Sequence, residues 1–215
     1  MAMIRPKSPG RRIIERQVLS IVKRTAKSLA EQAKRDADTT IRMSLGELVY
    51  STINFEDVMR AKANRNDNAG TVDIYNVEVD GAVGVKTLTF RSEGVGRQSP
   101  ILPSRWRQII IAHGVEFSKE KDGQFIIPVD VDGKAYYAHR LTEMETPVRV
   151  RCSCPDFLHR FAYPDFGEKS LQGRPKPYTR KTTTYPPVNP NNIPGLCKHI
   201  LALTSLINNS GFIGA

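Results

Sequence analysis

From Arg11 to about Ala37 the apolar residues Ile14, Val18, Ile21, Val22, Leu29 and Ala33 recur at helical spacing among Arg, Lys, Gln and Ser. That pattern predicts one long amphipathic helix with an apolar stripe and a basic face. The ten residues before it are interrupted by Pro6 and Pro9 and read as an extended tail. Ser44 and Glu47 have the spacing of a capping box, with Leu45, Leu48 and Val49 just inside. Asn54 is placed to cap a second short helix through Phe55, Val58 and Met59. That helix is expected to end in the loop-like run from Asn64 to Gly70.

The period then changes to two. Val72 and Ile74, with Val77 and Val79 in shifted phase, lead to Asp80-Gly81, a hairpin-turn signal, and Val83, Val85 and Leu88–Phe90 return. A Gly-rich segment, Ser92 to Pro103, separates this hairpin from strands over Trp106–Ala112 and Gln124–Val131. Asp132-Gly133 is a second turn signal, leading into Lys134–His139. The last strand begins after Pro147 and is predicted to run from Val148 to Cys154. Alternation puts Val148, Val150, Cys152 and Cys154 on one face and Arg149 and Arg151 on the other. Residues 155–196 show no sustained period and read as a long connection, before an apolar helix from Lys198 to about Ile207. The expected class is α+β. Its parts are a basic tail and amphipathic helix (1–38), helices with an antiparallel β region (39–147), and a C-terminal strand–loop–helix module (148–215).

Charge adds a second division. The net charge of the 215 residues is +10, and residues 1–35 hold ten Lys or Arg against two Glu, a local charge of +8. Such an arm, with Arg11, Arg12, Arg16, Lys23, Arg24 and Lys27, suits nucleic acid or an acidic protein surface, or forms a solvated helix face. No apolar run of about eighteen residues is present, so no membrane span is expected. No apolar stretch of the signal-peptide kind follows the basic N-terminus, which makes the cytoplasm the expected location.

All three cysteines fall in one pattern: Cys152-Ser-Cys154, then 42 residues, then Cys197-Lys-His199. An odd, low count argues against a secreted disulfide framework. Three thiolates and one imidazole are a common ligand set for structural zinc. Two cysteines at i and i+2 on a strand lie about 6.6 Å apart on one side and can grip one ion. The same spacing inside a helix would diverge by about 200°, so Cys197 belongs on the loop and His199 in the first helical turn. Competing readings are buried free cysteines with a helix histidine, a disulfide, or a catalytic thiol. His113, His139 and His159 lie in different elements, and four protein ligands leave no open position for water, which disfavours hydrolysis.

The CxC–x(n)–CxH pattern followed by an apolar helix resembles the SWIM-type zinc-binding motif, over residues 148–207. The strings Arg-Cys-Ser-Cys-Pro-Asp-Phe, Asn189-Pro190 and Pro-Gly-Leu-Cys-Lys-His-Ile are similar to a version in uncharacterised proteins of tailed bacteriophages. The resemblance implies one zinc ion on Cys152, Cys154, Cys197 and His199, interaction with protein or DNA, and no catalytic residues. The function expected is a non-enzymatic, zinc-stabilised structural protein of a phage virion (capsid, neck or tail). It would contact neighbouring protein subunits, in the host-cell cytoplasm and the particle. The alternative is a zinc-containing nucleic-acid-binding protein using the N-terminal arm with Arg174, Lys176, Arg180 and Lys181, which are interleaved with Tyr178 and Tyr185. No Gly-rich phosphate loop or paired carboxylate motif points to an enzyme or a small-molecule substrate.

Overall fold

The computed structural model of the protein describes residues 41–59, 65–96, 105–131, 133–176 and 187–214. The predicted helix over Arg11–Ala37 lies outside them, and so do Arg11, Arg12, Arg16, Lys23, Arg24, Lys27, Arg180 and Lys181. The first described helix, α1 (Leu45–Met59), starts where the spacing predicts. Ser44 Oγ accepts from the Glu47 N–H at 3.2 Å, and the Glu47 carboxylate accepts from the Ser44 N–H at 2.7 Å. This reciprocal pairing satisfies two donors that a helix start leaves open. Asn54 does not begin a second helix. It lies inside α1, where no Pro or Gly falls between Glu47 and Met59, while Leu45, Leu48, Thr52 and Phe55 hold one face in the core. The predicted loop at 64–70 contains a short helix, α2 (Arg65–Ala69). Arg65 fastens it, pairing with Glu56 and Asp156 at 3.2 Å each and stacking over Phe55 and Phe161.

Four antiparallel strands form the main sheet: β1 (Val72–Ala82), β2 (Thr87–Gly96), β3 (Trp106–His113) and β8 (Val148–Cys152), in the order β1-β2-β3-β8. A second sheet, β4-β6-β5, contains β4 (Phe117–Ser118), β5 (Phe125–Val131) and β6 (Lys134–His139). The Asp132-Gly133 signal is sound. Val131 pairs with Lys134, and Gly133 takes a φ of 73° that favours glycine. The Asp80-Gly81 signal is not a turn. Gly81 sits in the ladder opposite Leu88, and the chain turns through a short 3-10 segment at Val83–Val85. A Cβ at Gly81 would lie 3.0 Å from both Phe117 and Val129, so this glycine serves the close approach of the two sheets. The shifted phase of Val77 and Val79 is a β-bulge between Tyr75 and Glu78, where Asn76 adopts a φ of 51°.

The inner face of the main sheet carries Leu88 and Phe90 from β2, Gln108, Ile110 and Ala112 from β3, and Val148, Val150 and Cys152 from β8. Across it lies α5 (Lys198–Asn209), whose Ile200, Leu203 and Ile207 join the same core cluster. The C-terminal β9 (Ile213–Gly214) pairs in parallel with β7 (Leu141–Thr142). Residues 155–196 are not structureless at their start. They form α3 (Pro155–Arg160) and α4 (Ala162–Gly167), each too short to show a helical period. Leu171 then bridges to Val150 as an edge beside β8. Residues 41–215 form one compact unit. Among the described residues no helix is long and apolar enough to cross a membrane.

Candidate metal centre

Two stretches of chain, Cys152–Cys154 and Cys197–His199, converge at the end of β8. Strand pairing ends at Cys152 rather than Cys154, because Pro155 starts α3 and Cys154 becomes its N-cap, with extended backbone at φ −71° and ψ 150°. The extended backbone still returns the Cys154 side chain to the side of Cys152. The Cys154 N–H donates to Cys152 Sγ at 3.5 Å, and Cys154 Sγ accepts from the Phe157 N–H at 3.4 Å. Cys197 is the N-cap of α5 and His199 lies in its first turn, as the spacing predicts. His199 Nδ1 is 4.0 Å from Cys197 Sγ.

One ligand atom from each of Cys152, Cys154, Cys197 and His199 lies within 4.8 Å of all the others. In a tetrahedral site with Zn–S bonds of about 2.3 Å the thiolate sulfurs are about 3.8 Å apart. The cluster therefore needs a contraction of at most about an ångström to close on an ion. All four residues are buried, His199 the most accessible at 4%. Hydrogen bonds from Cys152 and Cys197, with smaller help from His199 and the Phe157 N–H, hold the Cys154 thiol far below its ordinary range against the effect of burial. Burial, reinforced by hydrogen bonding to Cys154, pushes the Cys152 thiol up, and burial with the two neighbouring thiols raises Cys197. These shifts favour the thiolate at Cys154 and the thiol at Cys152 and Cys197. Three thiolates together would need a cation, and a soft or borderline dication fits this donor set.

The Cys197 loop is held by groups that local sequence patterns do not reveal. Ser51 Oγ donates to the Pro194 carbonyl at 2.8 Å, and Thr52 Oγ1 accepts from the Leu196 N–H at 2.8 Å. Asp165 Oδ1 accepts from the Gly195 N–H at 2.9 Å. Gly195 is required by the same crowding, since a Cβ there would lie 2.9 Å from Thr52 Oγ1 and 3.0 Å from the Phe161 ring. Asn189 folds the loop on itself, donating to the carbonyls of Arg160 and Ile193 and accepting from the Ile193 N–H. On the sheet side, the buried Gln108 amide donates to Ser92 Oγ at 2.8 Å and to the His199 carbonyl at 3.2 Å, and accepts from the Gly94 N–H at 3.1 Å. The single tryptophan, Trp106, packs its ring 6.5 Å from that of His199.

The other sequence candidates that the structure describes lie apart from the four ligands. Arg174 and Lys176 are exposed, in the segment after the Leu171 bridge. The carbonyl of Arg174 accepts from Arg151 and that of Lys176 from the Tyr163 hydroxyl. Comparison with protein-family models, curated proteins and solved structures finds no match to the chain. Fold and site define an α+β protein whose C-terminal region brings three cysteines and one histidine into a buried cluster able to hold a metal ion.

Proposed function

We propose that this chain is a non-enzymatic structural and interaction protein stabilised by one zinc ion on Cys152, Cys154, Cys197 and His199. The observation that supports it most is the convergence of four buried soft or borderline donors to within 4.8 Å. Four protein donors complete a tetrahedron and leave no position for a reacting water, the arrangement of structural rather than hydrolytic zinc. The ion joins the end of β8 and the start of α3 to the start of α5. It closes a 42-residue connection whose entropy opposes ordering. The wider reading, a building block of a tailed-phage particle that contacts neighbouring subunits, draws its support from the resemblance of the CxC and CxH segments.

Elemental analysis of protein purified without chelator tests the metal. About one zinc per chain is expected from four ligands, and cobalt substitution should give the absorption of a tetrahedral thiolate site. Less than about a tenth of that zinc in folded protein would falsify the reading. Mass spectrometry of purified particles tests the wider reading, which requires the chain at fixed copy number in virions.

A further inference from the structure

The outer face of the main sheet differs from the inner one in chemistry. Alternation along β3 puts Gln108, Ile110 and Ala112 inward and Arg107, Ile109 and Ile111 outward. On β8, Arg151 stands opposite Ile109 on that outer face. Arg107 lies across from Ser153, exchanging backbone and side-chain hydrogen bonds with it at 3.0 and 2.9 Å, so Arg107 and Arg151 are diagonal neighbours. Arg151 reaches on to the next segment and donates to the carbonyls of Gln172 at 2.7 Å and Arg174 at 3.2 Å. Lys176 follows, its carbonyl bonded to the Tyr163 hydroxyl at 3.0 Å, and the Tyr163 side chain is 46% exposed.

Arg107 and Arg151 are thus neighbours on the outer face, and the exposed residues Arg174 and Lys176 belong to the segment that Arg151 and the Tyr163 hydroxyl hold by its carbonyls. The acidic groups of the same face have other partners: Asp80 pairs with Arg91, and Glu93, which lies across from Arg107 in the ladder, pairs with Arg105. Among the described residues none of Arg107, Arg151, Arg174 and Lys176 forms an ion pair. Guanidinium and ammonium groups without carboxylate partners, gathered along one edge, suit phosphates. Among the described residues no helix or two-stranded ribbon projects from this face to enter a duplex groove. A cationic surface with an exposed aromatic is instead the arrangement that tracks a single strand and stacks its bases.

We infer that the outer edge of the main sheet is a binding surface for single-stranded nucleic acid, with Arg107, Arg151, Arg174 and Lys176 on the phosphates and Tyr163 against a base. The inference goes beyond the zinc-held scaffold and does not depend on the ion's identity.

The probe is a fluorescent thymidine oligonucleotide of about twenty nucleotides, followed by anisotropy on the full chain at about 50 to 200 mM salt. The face variant carries Arg107→Gln, Arg174→Gln and Lys176→Gln and leaves Arg151, which also ties down the neighbouring segment. Each single-strand phosphate contact contributes about 0.7 to the slope of log affinity against log salt, so the slope should fall by about 2. Affinity at low salt should fall at least about tenfold. The same drop is expected in a chain whose Arg11, Arg12, Arg16, Lys23, Arg24 and Lys27 are Gln, which removes any contribution of the N-terminal arm. Tyr163→Leu should weaken binding roughly fivefold or more with the slope unchanged, and Tyr163→Phe should restore it. Metal content and Trp106 fluorescence report whether each variant is folded, and the single variants Arg107→Gln and Lys176→Gln replace the triple one if it is not. An unchanged slope and affinity in the folded face variant overturns the inference. So does equal loss of polyglutamate binding, which would mark the face as a site for acidic protein, or tighter binding of duplex than of single strand.

Discussion

Asp165 has no solvent exposure, and only one of its two carboxylate oxygens finds a partner, the Gly195 N–H. Burial raises its carboxyl well above the ordinary value of 3.8, and the Gly195 hydrogen bond opposes this only in part. The folded state therefore holds this proton more tightly than the unfolded chain. Asp165 contributes most to stability below about pH 4 and loses that contribution as pH rises toward the raised value. Asp165→Asn keeps the acceptor for Gly195 and carries no charge. Thermal unfolding across pH should show the wild type losing ground to Asp165→Asn as pH rises above about 4, with parallel profiles counting against the reading. Thr52→Val makes a neighbouring point. It is close in volume but removes the acceptor of the buried Leu196 N–H, and should cost about 1–3 kcal/mol in chemical denaturation. It should also speed zinc loss to a chelator, because that N–H belongs to the residue before Cys197.

At the scale of elements, the connection between the two ligand pairs looks short of apolar anchors in sequence, so metal binding is expected to supply much of the order of residues 155–215. The packing divides that region. In α5, Ile200 and Leu203 have no solvent exposure and Ile207 only 3%, all against the main sheet. Each is worth roughly 1.5–3 kcal/mol when buried. Phe157, Phe161 and Leu196 are also fully buried, whereas Phe166 is 45% exposed and residues 172–176 and 187–193 contribute no fully buried apolar side chain. Cys197→Ala should therefore act unevenly. Hydrogen exchange should rise first in 172–176 and 187–197, while α5, β3 and β5 keep their protection. Equal loss of protection across α5 would mean that the ion, not its apolar face, holds the helix.

For the whole molecule, a metal held at this cluster would couple folding to pH. Burial favours the protonated forms of Cys152 and Cys197 without an ion, and a bound metal would have to displace those protons. Affinity should fall by about tenfold per pH unit for each proton displaced. If the cluster holds zinc as proposed, acidification should release it in a transition steeper than one proton, read by Trp106 fluorescence through its contact with the His199 ring. A transition with no proton dependence would argue against thiolate ligation. Chelation at neutral pH should lower the unfolding temperature, and added zinc should restore it.

The sequence by itself determined what depends on near neighbours. The Ser44–Glu47 capping box, the Asp132-Gly133 turn, strands β3, β5 and β6 and the placement of Cys197 before His199 all follow from residues within a few positions of one another. The cluster of Cys152, Cys154, Cys197 and His199 was legible because cysteine is scarce and the spacing is chemical. Tertiary structure decided the rest, because periodicity says which face is apolar and not what that face will meet. Gly81 reads as a turn until Phe117 and Val129 close against it, and Val77 falls out of phase until the bulge is seen. Helices α3 and α4 span six residues each, less than two turns, too little for a pattern to repeat. Thr52 and Leu196 are 144 positions apart, and Asp165 and Gly195 are 30 apart. Arg107 and Arg174 are brought to one surface only because β3 pairs with β8 and Arg151 reaches the segment beyond. Such contacts follow from strand order and packing, which no local spacing encodes.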